Sequence, residues 1–163
     1  MLSQFLPLIE KAKIVLGLGA IVPSTSTPDF VSLKAHQKLT VIIISKNATT
    51  VTGSAITLKQ ATVVAGTDEK ALAFTKRWTN ADIAAADTLV ETAVTSNTFT
   101  TQAVNSKTSI DVLEVDADDL DADNGFDCVR AGTGDATAAT LTVLYILHAP
   151  RYAPGIADAA ITD

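Results

Sequence analysis

The 163-residue chain contains a single cysteine, Cys128. One thiol excludes an internal disulfide framework, and it equally excludes a thiolate zinc cluster, which needs several cysteines at short spacing. Aromatic residues are scarce at 5%, with one tryptophan, so the core has to be built from Ala, Val, Leu and Ile. Charge is sparse too: 12 basic against 18 acidic side chains leave a net charge of −6. That sign opposes a sequence-independent grip on a phosphate backbone, so no direct nucleic-acid partner is expected. Long hydrophobic runs are missing. The apolar run from Ile14 to Val22 falls far short of the ~20 residues a membrane helix needs. With Glu10, Lys11 and Lys13 before it and no A-x-A pattern after it, the run does not read as a secretory leader. No membrane partner is expected, and the lone thiol fits synthesis in a reducing compartment.

What the chain does have is Thr, Ala and Val, with 47% apolar residues overall. A chain of about 150 residues can bury roughly 68–70% of its unfolded surface, enough for one domain with a core of its own. β-Branched side chains keep more rotamer freedom on a pleated surface than in a helix, so the expected class is all-β.

The hydrophobic period changes along the sequence. Leu2, Phe5, Ile9, Ala12 and Leu16 recur at steps of three and four, which predicts a short helix ended by Gly17 and Gly19. Pro23 and Pro28 then restrict the chain to extended or turn conformations. Residues 1–28 therefore read as an N-terminal helical arm and linker. From Val31 the period becomes two, and Leu39–Ser45 is an apolar run of strand length. Further strands are expected at Ile56–Val63, Ala71–Trp78, Ser109–Val115, Phe126–Arg130 and Ala139–His148. Asn80–Asp87 suits one helical turn, and Leu89–Val94 with Thr98–Val104 resembles a hairpin around Ser96 and Asn97. About eight strands with frequent turn signals predict a β-sandwich or jelly-roll-like body over 29–149. Residues 150–163, with Pro150 and Pro154, read as an extended C-terminal tail that a neighbouring subunit would have to hold.

Residues that could carry chemistry are few. The acidic stretch Asp116–Gly125 has the oxygen ligands that Ca²⁺ requires. Setting Asp119, Asp121 and Asp123 at loop positions one, three and five, however, puts Asn124 where the EF-hand glycine belongs and Arg130 where its bidentate glutamate belongs. These three aspartates are the only metal candidates, and the plainer reading is that Asp118 or Asp119 caps a helical turn while the rest face water. Paired carboxylates for glycoside hydrolysis would need an aromatic-lined cleft that this composition hardly supplies. His36 and His148 lie beside no Ser, Cys or carboxylate motif and read as strand-end or interface histidines. Cys128 reads as a small buried hydrophobe. Gly17-Leu-Gly19 and Gly132-Thr-Gly134 complete no nucleotide-binding motif. Trp78, after Lys76 and Arg77, reads as a core or interface anchor before a stacking platform. No nucleophile, base and orienting group can be assembled from these motifs, so no catalytic residue, cofactor or enzyme activity is expected.

The segments Asp29–Lys34, Ile56–Ala61, Gly66–Leu72, Glu114–Asp121 and Asn124–Arg130 together resemble small structural proteins of tailed bacteriophages, of the head decoration or cement type. The resemblance covers about residues 29 to 152. It implies a β-sandwich or jelly-roll homotrimer, made in the host cytoplasm, that sits on the capsid exterior and ties major capsid protein subunits together. It transfers no active-site residue. On this reading Leu2, Phe5, Ile9, Trp78, Tyr152 and Ile156 are the interface anchors. Two alternatives stay open: a tail-tube or neck subunit forming larger rings, and a host-attachment module that binds carbohydrate or calcium through Trp78 and the acidic loop.

Overall fold

A computed structural model describes residues 8–151 and 160–161. One helical turn, α1 (Leu8–Lys11), leads into eleven strands: β1 (Ala12–Ile21), β2 (Val31–Ser32), β3 (His36–Asn47), β4 (Ala55–Ala61), β5 (Lys70–Ala71), β6 (Lys76–Asn80), β7 (Val90–Ala93), β8 (Thr98–Thr100), β9 (Thr108–Asp116), β10 (Cys128–Thr133) and β11 (Ala139–Pro150). All pairings are antiparallel. A six-stranded sheet has the order β1-β11-β3-β9-β6-β7, and a five-stranded sheet has the order β2-β10-β4-β5 with β8 also on β4.

The alternation expected of half-buried strands sets the core. Along β3, Leu39, Val41 and Ile43 point inward and are fully buried, and Leu141, Val143, Tyr145 and Leu147 do the same along β11. The five-stranded sheet answers with Ile56, Leu58, Val129 and Ala131, and all of these belong to one contiguous apolar cluster. Tyr145 ties the layers together. Its hydroxyl donates to the Asp29 carbonyl (3.0 Å) and accepts from the Ala131 N–H (3.0 Å) on the facing sheet. Burial pushes this phenol well above its ordinary pKa.

Several expectations need correction. The helix read across Leu2 to Leu16 is confined, among the described residues, to the turn at Leu8–Lys11. From Ala12 the chain is the edge strand β1, paired with β11 from Ala12 opposite His148 to Ile21 opposite Leu141. The three- and four-residue spacing coincides with a strand pattern, and a long partner strand decides between them. Residues 12–21 therefore belong to the body and not to an arm. Gly17 ends no helix either: a methyl group there would overlap the Tyr145 ring, so the missing side chain is the seat for that ring.

The single strand expected at Ala71–Trp78 is two strands in different sheets, β5 and β6, because residues 72–75 cross between layers and drop Leu72 and Phe74 against the core. The expected hairpin around Ser96 and Asn97 is also such a crossing. β7 pairs with β6 in one sheet while β8 pairs with β4 in the other. The two crossings run side by side, joined by the Val94 N–H to the Thr75 carbonyl (2.8 Å), with Phe74 edge-on to Phe99 at 6.1 Å. These crossings, with β1 and the two-residue strands, raise the count above eight. Near the C-terminus, Ala160 is buried against the core of its own chain and accepts the Ser32 N–H (2.7 Å).

Candidate interaction surface

The outward side chains of the six-stranded sheet form the most distinctive surface of the molecule. Directly paired residues share a face, so the register places Leu16, Leu144, Ile42, Val112 and Trp78 in one row across five strands. Ile14 and Ile146 extend it on one side, and Ile44 and Ile110 on the other. Ile14 and Leu16 are about half exposed, at 46% and 56%, and the remainder are partly exposed. No charged side chain interrupts the central row.

Polar rows close the apolar field at both ends. At one end His148, Lys38 and Asp116 line up across β11, β3 and β9, next to Thr40 and Glu114. Lys38 pairs with Asp116 at 2.8 Å, a contact that raises the lysine pKa above its ordinary value. The Thr40 hydroxyl donates to Glu114 (2.8 Å) and lies 3.1 Å from His148 Nε2. At the other end stand Thr140, Lys46 and Thr108. An apolar centre with a polar rim is the anatomy of a protein interface, where water must leave the middle and can remain at the margin.

The outward face of the five-stranded sheet is built differently. Arg130 lies 4.5 Å over the Phe30 ring and pairs with Glu69 (2.6 Å), which also binds Lys59. These cations hold the Glu69 carboxyl below its usual range, the Lys59 hydrogen bond contributing most. Cys128, Phe30 and Ala61 make a small satellite cluster beneath, which agrees with the expected role of Cys128 as a buried hydrophobe.

Inside the core, Arg77 of β6 pairs with Asp111 of β9 (2.7 Å) and lies 4.3 Å over the Phe99 ring. Burial pushes the Asp111 carboxyl upward, while hydrogen bonding from Thr79 and the Arg77 charge pull the other way. With Asp111 fully buried and Arg77 largely so, this pair is a brace between two strands.

Of the sequence candidates, Trp78 stands on the outward face, half-buried beside Val112, and lines a cleft of about 340 Å³ with Phe74, Glu114 and Asp119. Ile9 lies in α1. Leu2, Phe5, Tyr152 and Ile156 lie outside the described residues. The three aspartates are not brought together: no cluster of three metal-ligating side chains occurs among the described residues. Asp119 accepts the Asp116 N–H (3.1 Å), Asp121 is held by Lys70 and by Asn124 (2.8 Å), and Asp123 faces solvent. The Lys70 and Asn124 hydrogen bonds lower the Asp121 pKa. The expected capping role therefore falls to Asp116 and Asp119, which form a reciprocal capping box.

The outward isoleucines and leucines carry a sequence signal that reads two ways. Val41-Ile-Ile-Ile44 and Leu144–Leu147 are apolar at both parities, the pattern of a strand covered on both faces. Among the described residues only one face is covered.

No protein-family model matches the chain, and no curated protein matches it in sequence. Among solved structures, a SPBc2 prophage-derived protein, YomS, is 15% identical, with a TM-score of 0.48, over 83% of this chain and 91% of that one.

Proposed function

We propose that the chain is a structural virion protein of a tailed bacteriophage, a capsid decoration or cement subunit. Its two sheets act as a sandwich that seats the outward face of the six-stranded sheet on the major capsid protein. The observation that carries this reading is the uncharged apolar row from Leu16 to Trp78, bounded by polar rows. Five strands spaced ~4.8 Å apart and three rows ~6.8 Å apart give a field of roughly 20 Å by 20 Å. Two such surfaces in contact bury about 800 Å², less than a stable interface needs alone, and symmetric repetition on a lattice multiplies it. The sequence resemblance to head decoration proteins points to the same class of partner.

The test is binding of the purified chain to heads assembled from the cognate major capsid protein, read by co-sedimentation. Leu144→Lys should weaken binding by about 30-fold or more, as removal of a central anchor does, with an unchanged circular dichroism spectrum. Wild-type protein that ignores the heads, or a variant that binds like wild type, would overturn the reading.

A further inference from the structure

Five of the nine exposed large hydrophobic side chains among the described residues gather at two places. Ile14 and Leu16 lie on β1, while Leu89 immediately precedes β7, Val90 begins it, and Ile83 lies in the turn before. β1 and β7 are the two edge strands of the same sheet. The β1 edge is closed beyond residue 16, where the Gly17 carbonyl accepts the Asp29 N–H and the Val22 carbonyl accepts the Thr25 N–H. Among the described residues nothing pairs with it over residues 12–16. Such edges offer unpaired backbone groups to another strand, and native proteins normally protect them.

We infer that the open β1 edge of one copy pairs with the β7 edge of a second copy, head to tail. Three observations point to this occupant. First, the charges at the two edges are of opposite sign: Lys11 and Lys13 lie on the β1 side with no ion-pair partner among the described residues, whereas Asp87 and Glu91 lie on the β7 side, Glu91 sharing Lys76 and falling, in the register below, opposite Ile14 next to Lys13. Like edges repel and unlike edges attract. Second, strand direction is right. Six antiparallel strands leave β7 running opposite to β1, so a second copy in the same orientation continues the sheet with antiparallel pairing and keeps its apolar face on the same side. Third, side-chain parity agrees, since one register sets Leu16 opposite Leu89 on the outward face and Val15 opposite Val90 on the inward face. Such a contact uses two different patches and is heterologous, and heterologous contacts close into rings of three or more when the rotation allows.

The inference rests on the reading of this chain as an assembling subunit and adds which surfaces meet. Its test uses the full chain and two blocked variants, Leu16→Lys at one edge and Leu89→Lys with Val90→Lys at the other, weighed by light scattering. Wild type should have three or more times the 17.0 kDa chain mass. Each variant should fall to one chain. An equal mixture of the two, each retaining one intact and complementary edge, should recover twice the chain mass and go no further. Monomeric wild type, a β7 variant that keeps the wild-type mass, or a mixture that stays monomeric overturns the inference. Head binding separates the two claims: oligomers that ignore heads defeat only the capsid reading, and monomers that bind heads defeat only this one.

Discussion

The outward faces of the two sheets are made from the same pleated geometry and nearly opposite chemistry. On the five-stranded sheet, Lys59, Glu69 and Arg130 neutralise one another at the surface, with Phe30 under the guanidinium. On the six-stranded sheet, the corresponding positions are Leu16, Leu144, Ile42, Val112 and Trp78. Apolar side chains in such numbers gain nothing from water, and contiguous exposed patches of this kind mark places where another surface arrives. One face carries charges that neutralise one another, and the other is apolar and, on the proposed reading, meets a partner.

The comparison breaks if the apolar face behaves as a second core in the isolated chain. Leu141→Ala, on the inward side of β11, should cost about 2–5 kcal/mol in urea unfolding because it leaves a cavity. Leu16→Ala, in the outward row and already half exposed, should cost about 1 kcal/mol or less. Equal losses would mean that the outward row is covered within one chain.

Tyr145 sharpens the comparison from the middle, since it joins the layer with the apolar outward face to the layer with the charged one. Tyr145→Phe leaves the buried Ala131 N–H without its acceptor and should cost about 1–3 kcal/mol, measured by the shift in urea midpoint at constant slope. The smallest effect belongs to the charged face. Glu69→Gln should cost about 0.2–1 kcal/mol at neutral pH, as part-exposed ion pairs do. Its pH dependence has a definite sign. Because the folded-state pKa of Glu69 is lowered, its contribution is present above the ordinary value of 4.5 and is lost as pH falls through the lower folded value. Thermal unfolding of wild type and variant should therefore converge on acidification below about pH 4.5.

The central strands are legible in the sequence alone. Leu39–Ser45, Ser109–Val115 and Ala139–His148 alternate or run apolar for the length of a strand, and they form the middle of the six-stranded sheet. The candidate surface was half legible. Trp78 could be named as an anchor, but its neighbours Ile42, Val112 and Leu144 come from distant segments that only register sets side by side. In the acidic loop the sequence favoured a capping aspartate, and Asp119 takes that part, while Asp121 is engaged by Lys70 and Asn124, partners the sequence did not name.

By itself the sequence determined the class of the protein: β-branched and small apolar residues at a period of two commit the backbone to strands, and one cysteine with sparse charge leaves apolar packing to hold them. Only the tertiary structure decided where each strand goes. The segment from Ala12 is a strand because β11 supplies hydrogen-bond partners along it, and Gly17 is there for the ring of Tyr145, 128 residues further along the chain. The segments around Phe74 and Ser96 cross between sheets, because burying Leu72, Phe74 and Phe99 on both sides of one core outweighs the local preference for a hairpin. Pairing partners are non-local, and a period of two names the strand without naming its neighbour.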